Sequence, residues 1–224
     1  MDHEVDMASV RDRAHQSLME GIAGESSSTA ALILEAAITI LARDGYQSLT
    51  ARHVAEEAGT NLALINYYFG GKQGLLLAVY DVLERQRYAR QTQMYGDPDE
   101  PLSVKWRRAV GFYRQDLADG FVRVHHELMI QGLANSQLAE RARQRIRAWN
   151  DLLMEVAKHY QPVLGVNVSP SLLVPAFTAF WYGMEQQHLI GMREEETPYF
   201  EILQRIGDWL EAQERDAQRQ TVTG

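Results

Sequence analysis

Three clusters in the sequence have residue types and spacings that suggest chemistry. Glu185-Gln186-Gln187-His188 places a carboxylate and an imidazole three residues apart, on one face of a helix, which is half of a di-iron carboxylate site. Such a centre needs a second Glu-x-x-His and two further inward glutamates, and no second pair is present. His125-His126-Glu127 supplies metal-ligand types, but neighbours on a helix diverge by about 100° and do not readily converge on one ion. Gly70-Gly71-Lys72 resembles the end of a phosphate-binding loop. Asn66 stands where that loop needs its leading glycine, and Gln73 where Ser or Thr must hold magnesium, so nucleotide hydrolysis is excluded. The Ser, His and Asp residues form no nucleophile elbow. No catalytic residue, metal ligand or cofactor is therefore assigned, and the chain is read as a non-enzyme.

The chemistry that remains is recognition. From Ser48 to Gly74 the chain reads SLTARHVAEEAGTNLALINYYFGGKQG. Thr50 caps one short helix with Val54, Ala55 and Ala58 on its apolar face, and Gly59 ends it. Asn61 caps a second helix, about Leu62 to Phe69, which Ile65 and Phe69 anchor in a core. Two helices joined this closely must cross steeply, as in a helix-turn-helix. Leu62 and Ala63 lie at the tip of the second helix, with Asn66 and Tyr67 beside them. An amide there can pair with adenine edges in the major groove, and a phenol can reach phosphate. Gly70, Gly71 and Lys72 turn the chain into a third helix whose first N–H groups and ammonium suit a phosphate. Asn61, Leu62, Ala63, Asn66 and Tyr67 are expected at the groove, and Thr50, Arg52, Tyr68 and Lys72 at phosphates.

The run Gly59 to Lys72, with about thirty residues before it, resembles the DNA-binding domain of the TetR family of transcriptional regulators. The resemblance rests on Ala36-Ala37 followed by Arg43-Asp44-Gly45-Tyr46, on Thr50-Ala51-Arg52, and on Asn66-Tyr67-Tyr68-Phe69-Gly70-Gly71-Lys72, in order and at the family's spacing. It implies an amino-terminal head on double-stranded DNA, a carboxy-terminal ligand-binding and dimerisation domain, and repression of a palindromic operator.

The elements that must position this head are helical. The 224 residues are 46% hydrophobic and 23% charged, ordinary values for a globular protein, and no β-type alternation is sustained. An all-α chain is expected. Residues 1–25 read as a flexible or loosely packed extension with a possible short helix around Val10 to Ile22; 26–72 are expected to form the head and 73–224 a helical ligand-binding and dimerisation domain that opens with a linking helix over 73–95. Helices are expected over Leu102 to Asp119, Phe121 to Ala134, Ser136 to about Tyr160, Ser169 to Met192 and Thr197 to Arg215. Ser169-Pro170 and Thr197-Pro198 each pair a capping residue with a first-turn proline.

Charge and composition set the partners. There is no cysteine, the opening residues lack a secretory pattern, and the longest apolar run, Leu172 to Met184, is shorter than the ~18 residues of a membrane span. A cytoplasmic protein without a membrane partner is expected. The net charge is −8, yet between Ser26 and Arg90 six cations balance six anions, so the excess acid lies outside the head. Leu172, Ala176, Ala179 and Gly183 form a stripe of mostly small residues, and Phe200, Leu203, Ile206 and Leu210 supply a second apolar helix; together they suggest half of a symmetric four-helix homodimer contact. The aromatic-rich helices also suit a small apolar or aromatic effector, with Tyr113, His125, Trp149 and His188 as candidate polar groups. Two other classes are kept as alternatives: a metal-dependent oxidase around Glu185 and His188, and a helical small-molecule carrier.

Overall fold

The computed structural model of the chain describes residues 27–165 and 167–223, so the extension expected at 1–25 and its possible helix lie outside the described residues. Among those described, regular structure is helical: α1 (Ser27–Asp44), a single 3-10 turn at Tyr46–Ser48, α2 (Ala51–Glu57), α3 (Leu62–Phe69), α4 (Lys72–Tyr95), α5 (Leu102–Ala118), α6 (Phe121–Gln131), α7 (Ser136–Leu164), α8 (Pro170–Leu189) and α9 (Tyr199–Thr223). The chain forms two compact units. One comprises residues 27–88 with Gln115–Arg145; the other comprises Ala89–Arg114 and residues 146–223.

The first unit is built on α1. Ile33, Ala37, Ile40 and Leu41 recur at helical spacing and are wholly buried with Leu49, Val54 and Ile65, so α2 and α3 close over α1. Leu75, Leu76, Val79 and Leu83 extend this core along α4, and Val124 and Leu128 of α6 with Leu138 and Ala142 of α7 belong to the same cluster. Each large aliphatic side chain so buried stabilises the unit by about 1.5–3 kcal/mol. Gly45 turns the chain after α1 at φ +79°, and a Cβ there would come within 2.9 Å of the Arg123 guanidinium of α6.

The second unit is an aromatic core. The Trp106 indole N–H donates to the Leu203 carbonyl at 2.7 Å, and the Trp106 ring lies 5.8 Å from Phe177 and 6.3 Å from Trp181. Tyr113 packs edge-on to Trp181 and against Phe200. Lys105 is fully buried, its ammonium donating to the carbonyls of Tyr95 and Asp97 and lying 5.3 Å from the centre of the Tyr160 ring. A cation there satisfies carbonyls at the end of α4 and complements its dipole.

Several helix limits differ from expectation. α7 continues past Pro162 to Leu164, because Leu164 is buried and burial of the last turn outweighs one lost backbone bond. α9 begins at Tyr199, not Thr197. Its first N–H groups are capped from outside the helix, with Phe200 N–H donating to Glu194 Oε1 at 2.9 Å, while the Thr197 hydroxyl donates to the Arg193 carbonyl. Ser169 occupies the N-cap position of α8 without a side-chain capping bond; its hydroxyl meets Ser171 at 2.9 Å. α6 stops at Gln131 instead of Ala134, and α9 runs on to Thr223.

Candidate nucleic-acid interface

Local chemistry fixes the ends of α2 and α3. Thr50 is in extended conformation and its hydroxyl accepts from His53 N–H at 3.1 Å; Asn61 does the same for Leu64 N–H at 3.1 Å. Each bond satisfies a backbone donor that the helix leaves open, stabilising by about 1 kcal/mol. Gly70 ends α3 in the left-handed region, φ +68°, and its N–H donates to the Asn66 carbonyl at 2.9 Å.

Ile65 is completely buried and holds α3 to the unit below. At about 100° per residue, Leu62, Asn66, Ala63 and Tyr67 then follow one another around the opposite arc. All four are exposed, Leu62 by 49% and Tyr67 by 79%. Tyr68 falls outside this arc: its ring is half-buried against the head's core, edge-on to Tyr67 at 5.0 Å.

Three cations of the head lie on the neighbouring helices α1, α2 and α4. Arg52 is exposed and paired to Glu56 at 2.9 Å; Arg43 is held by Asp44 and Glu57. The Lys72 ammonium lies over the Tyr46 ring at 4.4 Å, and partial burial lowers its pKa from the ordinary lysine range. Gly74 completes the junction. A Cβ at that position would lie 1.7 Å from the Phe69 carbonyl oxygen, so the last turn of α3 rests on the first turn of α4.

A capped helix-turn-helix with an exposed, uncharged four-residue arc and a lysine at the following helix is the local arrangement of a bacterial regulator's reading head. Residues 33–79 match the family model for bacterial regulatory proteins, tetR family. Over those residues the head is of the tetR type. No curated protein matches the chain in sequence. Solved structures align along most of its length: Salmonella enterica GusR, at 18% identity and TM-score 0.62, covers 87% of this chain and 95% of its own. A Rhodococcus sp. protein described as a TetR-family transcriptional regulator aligns at 20% identity and TM-score 0.59, over 81% of this chain and 98% of its own. A TetR family transcription regulator from Marinobacter aquaeolei VT8 aligns at 22% identity and TM-score 0.58, over 82% and 95%. At these identities the likeness is one of fold.

The other candidate residues fall in different settings. His125 lies in the unit that contains the head, with Nδ1 2.6 Å from Glu84 Oε1 and its ring stacked on Tyr80. Arg145 holds the same carboxylate at 3.2 Å and donates to the Glu84 carbonyl at 2.8 Å. Although burial opposes ionisation, His125, Arg87 and Arg145 hold the Glu84 carboxyl down at about 2. Tyr113, Trp149 and His188 belong to the second unit. There, Tyr113 is buried, which pushes its phenol up, while Trp149 and His188 are half-buried and Trp149 packs on Tyr95. The Trp181 indole N–H donates to buried Glu185 at 2.8 Å, and among the described residues no three His, Asp or Glu side chains gather where one metal ion could sit.

Of the expected subunit contact, Leu172, Ala176 and Ala179 are exposed on α8 and Gly183 is half-buried. Leu203 and Leu210 are fully occupied within the chain, because that side of α9 packs on its own aromatic core; Phe200 meets Tyr113, and Ile206 is half-buried. The outward side of α9 instead carries Ile202 and Trp209, both more than a third exposed. Among the described residues no helix is long and apolar enough to cross a membrane.

Proposed function

We propose that this TetR-family transcriptional regulator is a homodimeric repressor that leaves a palindromic operator when a small apolar or aromatic effector binds. The observation that carries the reading is the exposed Leu62-Asn66-Ala63-Tyr67 arc, held out from a head whose sequence matches the family. Asn61, Leu62, Ala63, Asn66 and Tyr67 would meet base edges; Thr50, Arg52, Tyr68 and Lys72 would meet phosphates. Residues 26–72 serve as the head and 73–224 as the effector and dimerisation part.

A two-fold axis presents two such arcs to successive major grooves, which is why the operator is a palindrome. The exposed apolar residues of α8 and α9, Leu172, Ala176, Ala179, Ile202 and Trp209, supply the subunit contact. The aromatic side chains of Trp106, Tyr113, Phe177, Trp181 and Phe200 suit an effector of similar chemistry. Release follows if the effector favours a head spacing that fits DNA less well, with α4 as the mechanical link.

A mobility-shift assay on the DNA upstream of the chain's own coding region, with the stoichiometry measured by light scattering, tests the reading. Two subunits per operator are expected. A monomer that binds all duplexes equally, or none, would refute it.

A further inference from the structure

The exposed arc of α3 contains a leucine, an amide, an alanine and a phenol, and α3 carries no charged residue along its length. Guanine in the major groove is read most often by Arg or Lys on N7 and O6. The nearby cations stand off the arc, Arg52 on α2 and Lys72 at the start of α4, where the proposed reading gives them to phosphates. What the arc does offer is apolar surface and one bidentate amide. Thymine is the base that presents a methyl group in the major groove, and adenine presents the N6–H donor and N7 acceptor that an Asn side chain complements.

Placement agrees with composition. Leu62 is the first helical residue after the Asn61 cap, at the end of a reading helix that approaches base edges, and half of its surface faces outward. The exposed half of Leu62 stabilises nothing in the isolated chain, whereas covering a thymine methyl with it removes both apolar surfaces from water. Asn66 stands one turn further along, beside Leu62 on the wheel. Its Oδ1 lies 3.4 Å from where a Cβ on Gly71 would sit, so the glycine turn keeps the space around the amide open.

We infer that the operator half-site recognised by this head is built on consecutive A·T pairs, with thymine methyl groups read by Leu62 and Ala63 and an adenine edge read by Asn66. This rests on the reading of the head as a duplex-DNA binder and names the bases it takes.

The test uses the full chain and two steps. Selection from a random duplex library gives the preferred half-site; A·T pairs are expected at its core, and a core of G·C pairs would overturn the inference while leaving the regulator reading intact. Each core thymine of the selected duplex is then replaced by deoxyuridine, which removes only the methyl group. Affinity should fall roughly fourfold per contacted methyl, the factor that corresponds to losing about 0.8 kcal/mol of burial. Leu62→Ala should bind the thymine duplex more weakly and lose its sensitivity to deoxyuridine at one position. Indifference of the unmodified protein to every deoxyuridine would overturn the methyl readout. A library that returns no consensus would overturn the regulator reading and this inference together.

Discussion

Gly74 lies directly against the carbonyl of Phe69, so close that a methyl group in its place would sit 1.7 Å from the oxygen. The contact joins the reading helix to the helix that leaves the head, and it admits no side chain. Gly74→Ala should therefore either tilt α3 or destabilise the head, by about 1–3 kcal/mol as an overpacking substitution. Thermal unfolding and operator affinity, measured together, check this; an unchanged melting point with unchanged binding would refute it.

The exposed arc supports a second expectation. Replacing Asn66 and Tyr67 with Ala should erase discrimination between operator and unrelated duplex, since each well-formed base contact is worth about 1–3 kcal/mol. Both side chains are exposed, so stability and subunit stoichiometry should hold. Competition binding with operator and random DNA reads the outcome.

Lys72 predicts a different signature. Its ammonium lies over the Tyr46 ring, and the proposed reading gives it a phosphate, a contact that carries no sequence information. Lys72→Ala should weaken binding to all duplexes alike and lower the salt slope by about 0.9 for each phosphate that the lysine had neutralised. Affinity across a salt series measures both.

The buried Glu84 carboxylate ties α4 to His125 of α6 and Arg145 of α7. Its folded pKa, about 2, lies below the ordinary value of 4.5, so the stability it contributes is complete above about pH 4.5 and is lost as pH falls toward 2. Glu84→Gln should destabilise the first unit by about 1–3 kcal/mol, because it removes the charge that half-buried Arg145 pairs with and leaves a buried site with unmatched hydrogen-bonding groups. It should also flatten the acid limb. Urea midpoints between neutral and acid pH, for both proteins, decide it; equal acid sensitivity in the two would count against the assignment.

The α8 stripe carries the last prediction. Ala179→Arg places a charge in the proposed subunit contact on a side chain that is exposed in the single chain. Dimers should give way to folded monomers in sedimentation, and operator affinity should fall with them.

Short-range rules account for what was legible in the amino-acid order. Thr50 and Asn61 cap their helices through bonds three residues away, and α3 spans Leu62–Phe69 as its pattern indicates, because capping and helical period depend on neighbours in the chain. The role of Gly74 was not legible in this way, because the Phe69 carbonyl it must clear is brought against it only by the fold. The structure decided whatever depends on side chains meeting from distant segments. Glu194 folds back to cap α9 in place of Thr197, His125 finds Glu84 on another helix, and Leu203 and Leu210 face their own core instead of the surface. A helix's apolar stripe announces that it must be covered, and only the packing of the whole chain determines what covers it.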